Sequence, residues 1–143
     1  MRRAAAAALA AVALAGCGGG SGDKPQPVFR QTDKDVIRGW VAALNAGDYV
    51  AAASYFAKNA IVQQNSVFRL RTRTDAETFN QDLPCRADLT DTKDEGKTTL
   101  AAFRLKAGPG GPCHGSARVR FKIKDGKVKE WRQLPEQPSG PVV

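Results

Sequence analysis

Three cysteines and one histidine are the side chains of this 143-residue sequence best able to do covalent or metal chemistry. Cys113 and His114 are neighbours, and a thiol beside an imidazole is the raw material of a nucleophilic pair. Adjacent residues of an extended chain point to opposite sides, however, so this pair is not arranged for proton transfer. His114 is read instead as an exposed loop residue. So few cysteines and histidines leave no room for a Cys/His zinc site, and nothing in the sequence calls for a metal or a cofactor.

The third cysteine carries a different chemistry. Met1-Arg2-Arg3 is a short positive segment, and Ala4 to Ala15 is an unbroken apolar run. The run is about a dozen residues long, too short to span a bilayer and typical of an export signal. It ends in Leu14-Ala15-Gly16-Cys17, which resembles the lipobox of bacterial lipoproteins. The resemblance implies cleavage after Gly16, a lipid on Cys17, and a protein anchored at the extracytoplasmic face of a bacterial cell membrane. An ordinary signal peptide cut at a nearby small residue is the alternative. Residues 17–29 continue with Gly-Gly-Gly-Ser-Gly and two prolines, a flexible tether that holds a domain near the membrane but not in it. An exported domain with Cys85 and Cys113 left over suggests one disulfide; two free thiols are the alternative.

These residues need a scaffold, and the sequence between 30 and 135 supplies one domain. Thr32 with Asp35 three residues on is a helix start, and Val36, Ile37, Trp40, Val41 and Leu44 recur at helical spacing. Asn45-Ala46-Gly47 ends that helix. Asp48 caps a short second helix with Ala52, Ala53, Tyr55 and Phe56 as its inner stripe, broken at Asn59. Residues 60–64 and 67–71 read as strands. Thr74-Asp75-Ala76-Glu77 reads as the cap of a third helix with Phe79 and Leu83 inward, stopped by Pro84. Strands then follow over 87–93, 97–105, 116–124 and 128–134, with Asp125-Gly126 as a two-residue hairpin turn. Residues 136–143 form a disordered tail. Helices first and a meander of strands after them make an α+β domain.

The last hairpin contains the most informative charges. A regular register from the Asp125-Gly126 turn sets Phe121 opposite Glu130 and Val119 opposite Arg132. Glu130 and Arg132 would then face inward and could hold a polar ligand. A β-bulge near Glu130 would instead turn Trp131 inward and leave both charges in water, the cheaper arrangement. On the preceding strand Arg118, Arg120, Lys122 and Lys124 share one face. With Arg2 and Arg3 removed with the leader, 20 Lys and Arg oppose 14 Asp and Glu, a net charge of +6. The face is either a solvated outer surface or a patch for an anionic surface such as a lipid headgroup layer. Nucleic acid is a poor partner, because the address is extracytoplasmic and the stripe lacks interleaved aromatics.

The run Trp40-Val41-Ala42-Ala43-Leu44-Asn45-Ala46-Gly47-Asp48-Tyr49 resembles the opening of nuclear transport factor 2-like (SnoaL-like) domains. Tyr55-Phe56-Ala57-Lys58-Asn59-Ala60-Ile61-Val62 and the hairpin Lys124-Asp125-Gly126-Lys127-Val128 with Trp131-Arg132 fit the same family in order and spacing. The resemblance implies a cone: about three N-terminal helices on a strongly curved, mostly antiparallel sheet, with a pocket at the wide end. Members include isomerases, dehydratases, cyclases and non-catalytic binding or dimerisation modules, so the fold alone leaves the activity open. In the isomerase branch a carboxylate base follows the first strand; the matching stretch here is Gln63-Gln64-Asn65, whose amides cannot take a proton near neutral pH.

The expectation is therefore a lipid-anchored, non-catalytic domain that binds a small, partly apolar ligand or a protein partner, with a homodimer among the candidates. Gln64, Phe121, Glu130 and Arg132 are the candidate ligand residues. An isomerase, dehydratase or cyclase with an unrecognised acid/base set is the alternative, as is an accessory domain docking on an anionic surface through its basic face.

Overall fold

The computed structural model describes residues 30–136. The leader expected over residues 1–16, the lipid-bearing Cys17 and tether expected over 17–29, and residues 137–143 of the expected tail lie outside the described residues. The element order is α1 (Asp33–Asn45), α2 (Tyr49–Ser54), β1 (Phe56–Gln63), β2 (Val67–Leu70), α3 (Arg73–Asp82), β3 (Arg86–Asp94), β4 (Thr99–Lys106), β5 (Ser116–Lys124) and β6 (Lys127–Gln133). The strands form one six-stranded sheet in the order β2-β1-β6-β5-β4-β3. Only β1 and β6 pair in parallel; the other neighbours are antiparallel. The α+β expectation holds, with the third helix entering after two strands.

Each helix starts where a side chain satisfies a free backbone donor. The Thr32 hydroxyl accepts from Asp35 N while the Asp35 carboxylate accepts from Thr32 N, closing a reciprocal cap. Asp48 Oδ1 accepts from Ala51 N at 3.0 Å to open α2. The third helix begins two residues before the expected Thr74: Thr72 is its cap and Asp75 the reciprocal partner. The sequence offers the same motif twice in overlap. The earlier one wins because Asp75 Oδ2 accepts from both Arg71 N and Thr72 N, at 2.9 and 3.1 Å. The second helix also ends sooner than its apolar stripe suggests. Phe56 already belongs to β1, paired with Val128 of β6, and Asn59 sits at φ 62° inside an irregular stretch of that strand. Burial of Phe56 against the sheet overrides the local helical pattern.

The core gathers on the helix-facing side of the sheet around Trp40 of α1. Phe56, Phe103, Phe121 and Trp131 meet its ring edge-on, with centroids 5.7 to 6.3 Å away. The buried cluster runs from Val36 to Trp131, so a chain starting at Gly18 keeps every residue of it. Among the described residues no helix is long and apolar enough to cross a membrane.

Candidate functional site

The last hairpin decides which side chains can form a site. Asp125 and Gly126 both take positive φ, 54° and 72°, as a two-residue turn with matching twist requires. Ile123 pairs with Val128, but the next pair is Lys122 with Glu130, so Lys129 is an extra residue in β6. Beyond this bulge Phe121 lies opposite Trp131, and Trp131 turns into the core with 3% of its surface exposed. Glu130 and Arg132 consequently lie on the outer face of the sheet. Arg132 donates to Glu130 Oε1 at 2.9 Å and to Gln63 Oε1 at 2.7 Å, the latter its cross-strand neighbour in β1. The inward pair of the regular register is thus replaced: moving a tryptophan inward and a carboxylate and guanidinium outward avoids desolvating two charges.

On the helix-facing side, at the end of the sheet where β4, β5 and β6 pass beneath α1 and the end of α3, lies a cavity of about 100 Å³. Its walls are Trp40, Leu44, Leu83, Phe103, Leu105, Ala117, Val119 and Trp131. Pro84, Cys85 and Ala87 close one side, and Gln64 and Gln133 stand at another. The two amides touch each other, Gln64 Nε2 to Gln133 Oε1 at 3.3 Å. Cys85 is tied to Cys113 by a disulfide, which pins the start of β3 to the loop between β4 and β5. That loop lies close on Pro84: a Cβ at Gly108 would come within 2.6 Å of the Pro84 carbonyl oxygen, so a side chain has no place there. His114 is exposed on the same loop.

Of the four candidate ligand residues, the structure places Gln64 in the cavity lining and sets the other three apart from it. Phe121 is fully buried against Trp40, with ring centroids 5.7 Å apart, and is not part of the wall. Glu130 and Arg132 are on the opposite side of the sheet. Most of the wall escaped the sequence reading, because its residues come from five different elements. Trp131 is the exception with a legible signal, since the bulge that frees Glu130 must turn it inward.

The cavity is chemically quiet. None of the residues lining it is an acid, an amine, a histidine or a phenol. Among the described residues three carboxylates are held below their ordinary range, and none of them lines the cavity. The Thr32 hydroxyl and then its backbone N–H lower Asp35; Lys106 and then Arg104 lower Asp88; Arg120 lowers Glu95. A wider groove between β2 and α3 mixes Phe68 and Phe79 with Arg69, Arg71, Asp75 and Asp82 and is open to solvent. No group of acidic, histidine or cysteine side chains among the described residues could hold a metal ion.

On the outer face Arg118, Arg120, Lys122 and Lys124 line up along β5, opposite in direction to the buried Val119 and Phe121. Arg120 pairs with Glu95 at 2.9 Å. Arg118, Lys122 and Lys124 have no carboxylate within 4.0 Å among the described residues.

Residues 37–131 match the family model of the SnoaL-like domain. The fold is similar to that of an NTF2-like protein of unknown function from Cytophaga hutchinsonii, with a TM-score of 0.62 and 11% identity over 75% of this chain and 92% of that one. It is similar also to a provisionally assigned polyketide cyclase from Sinorhizobium meliloti (TM-score 0.58, 18% identity, 70% and 94% of the two chains). A provisionally assigned ketosteroid isomerase from Kribbella flavida gives a TM-score of 0.56 at 19% identity, over 73% and 81%. At such identities the likeness shows the fold. No curated protein matches the chain in sequence.

Proposed function

The chain belongs to the SnoaL-like domain family, and from that premise we propose that it is a binding protein rather than a catalyst: an exported lipoprotein, anchored through Cys17, whose domain takes up the apolar end of a small neutral molecule. The observation that carries this reading is the composition of the cavity. Acid–base chemistry on a bound substrate needs a group that can hold or release a proton within hydrogen-bond reach. The cavity walls offer hydrocarbon, two carboxamides, a disulfide sulfur and an indole, which bind and orient but do not transfer protons. Gln64 stands at the rim where the isomerase branch resemblance would place a carboxylate.

Size narrows the reading further. Drug-sized ligands occupy pockets of roughly 300–1,000 Å³. A space of about 100 Å³ takes only one end of such a molecule, with the remainder leaving past the Gln64–Gln133 rim. A lipid on Cys17 and the tether of residues 17–29 would hold this cavity beside the membrane, where sparingly soluble molecules concentrate.

Native mass spectrometry of the chain from Gly18, exported to an oxidising compartment and purified without detergent, tests the proposal. A retained small-molecule adduct, without turnover when the released compound is offered back, is the expected outcome. Chemical conversion of that compound would overturn the non-catalytic reading. Lipidation is tested separately, by the mass of the N-terminal peptide from membrane-extracted protein and its loss in Cys17→Ser.

A further inference from the structure

At the other end of the parallel β1–β6 pair from the apolar cavity lies a concavity of about 440 Å³ with the opposite character. Gln64 and Gln133, where those strands finish, stand at the cavity; Phe56 and Lys127, where they start, line the concavity, roughly 20 Å away along the strands. The two spaces share no residue. Four cations, Lys58, Arg71, Arg73 and Lys127, line the second space, and no carboxylate does. They come from four separate places in the chain. Lys58 rides on the irregular stretch of β1, where the pairing advances five residues in β1 (Phe56 to Ile61) against two in β6 (Val128 to Glu130) and Asn59 takes φ 62°. Arg71 lies in the link from β2 to α3, Arg73 opens α3, and Lys127 opens β6. Lys127 Nζ donates to the carbonyl oxygen of Ser54, another wall residue, which holds the ammonium at the wall.

Elsewhere this fold sets carboxylates among its cations: Asp88 between Arg104 and Lys106, Glu95 beside Arg120, Glu130 beside Arg132. None of the four cations of the concavity has a carboxylate within 4.0 Å among the described residues. Asp75, the acid closest to them in sequence, accepts from the backbone N–H groups of Arg71 and Thr72 and lines a different groove. The β5 row also lacks partners, but it lies along a sheet face, where its field spreads into water. A concave wall of one sign focuses its potential and concentrates counter-ions.

We propose that this concavity is an anion site for a small soluble molecule bearing a terminal phosphate or diphosphate. It rests on none of the chemistry of the apolar cavity. Charge sets the class. A monocarboxylate would answer one cation of four, whereas a phosphate monoester carries a charge of about −1.5 to −2 at neutral pH and three acceptor oxygens. The guanidinium groups of Arg71 and Arg73 suit those oxygens through paired N–H bonds, and Lys58 and Lys127 add point charges. Amines and metal ions are repelled. Ala53, Phe56, Ala57 and Ala76 make most of the remaining wall and give the carbon substituent of a phosphate ester an apolar surface.

Inorganic pyrophosphate is the probe, titrated at physiological salt into the ¹⁵N-labelled chain from Gly18 with its disulfide intact. Saturable shifts are expected at the amides of Ala57, Lys58, Thr72, Arg73 and Lys127, with those of β5 unmoved. Two double variants matched in charge separate a site from general attraction. Arg71→Gln with Lys127→Gln should weaken binding about tenfold or more, while Arg118→Gln with Lys122→Gln should leave it within roughly twofold. Equal losses in the two variants, or shifts spread along β5, would overturn the site and assign the attraction to net charge. Absence of any saturable shift would overturn it as well. Co-sedimentation with phosphatidylglycerol vesicles tests a lipid source of the same phosphate chemistry: the Arg71/Lys127 variant should sediment as the parent does. Vesicle binding lost in that variant, with no pyrophosphate binding by the parent, would overturn the soluble ligand in favour of a headgroup. Should the variant fail to fold, the map of shifts on the unchanged chain decides by itself.

Discussion

Asn80 is the residue on which the interior depends most while showing least of it in the sequence. It sits in α3 with no exposed surface, surrounded by the apolar cluster, and joins two elements by accepting from Trp40 Nε1. Its own amide nitrogen is satisfied one helical turn back at Ala76 O. A buried amide is tolerated only when its groups are paired, and here both ends are. Asn80→Ala leaves the Trp40 N–H without a partner in the core, and we expect a loss of about 2 kcal/mol, within the range for stranding a buried donor. Urea unfolding followed by tryptophan fluorescence measures it. A loss of under about 0.5 kcal/mol would mean that the indole finds another acceptor and that the α1–α3 bond carries little. Nothing in the run Thr78-Phe79-Asn80-Gln81 marks the asparagine as internal, since helix periodicity alone cannot tell a buried polar residue from one facing solvent at the edge of the stripe.

At the scale of elements, what could be read in the sequence was what local physics decides. The α1 cap, its five buried apolar positions and the boundaries of β5 follow from a capping motif, a 3.6-residue period and strict alternation. The β6 bulge was legible too, because burying Trp131 is cheaper than burying Glu130 and Arg132. What escaped was decided by distant partners: Phe56 enters a strand because Val128 awaits it, and the cavity wall exists only where five elements meet. The links between elements give two predictions. The Cys85–Cys113 disulfide joins positions 28 apart and supports the cavity side formed by Pro84 and Cys85. Opening it with Cys85→Ser and Cys113→Ser should lower stability by roughly 3 kcal/mol on loop entropy and broaden the resonances of the cavity side. A change under 1 kcal/mol with a sharp spectrum would show that strand pairing alone holds that end together. The second concerns acid. Asp88 is lowered by Lys106 and Arg104 of β4, and Glu95 by Arg120 of β5. A carboxylate lowered in the folded state contributes stability that is present above its unfolded pKa and is lost as pH falls through its folded pKa. Stability should therefore decline from roughly pH 4 downward, and Asp88→Asn should flatten part of that decline by lowering stability at neutral pH while converging on the parent in acid. Urea midpoints measured between neutral and strongly acidic pH check this, and an unchanged acid slope would show that the ion pairs of Asp88 are fully screened by solvent.

The molecule as a whole has two faces with opposite chemistry: a cavity on the helix side and a row of cations on the outside of the sheet. The formal charge of the full sequence is +8, and the β5 row concentrates part of it. The local carboxylates only partly offset this row. Glu95 answers Arg120 and Glu130 answers Arg132, while Arg118, Lys122 and Lys124 face outward without a partner among the described residues. Two copies meeting through this face would bring like charges together, which disfavours a symmetric dimer there. An anionic bilayer has the complementary sign, and near it each lysine or arginine adds about 1 kcal/mol. Three unpaired cations would then be worth a few kcal/mol, too little to hold a free domain at physiological salt but enough to orient one already held there by a lipid. The orientation would press the sheet toward headgroups and turn the helix side, with its cavity, away from them. The chain from Gly18 should therefore bind vesicles rich in phosphatidylglycerol at low ionic strength, release them as salt rises, and ignore vesicles of phosphatidylcholine. The triple change Arg118→Gln, Lys122→Gln and Lys124→Gln should abolish the binding without moving the urea midpoint, because none of the three side chains is buried or paired with a carboxylate. Co-sedimentation across a salt series reads both. Binding that survives the triple change would assign the attraction to the net charge of the whole molecule, and no binding at any salt would leave the row as a solvated face.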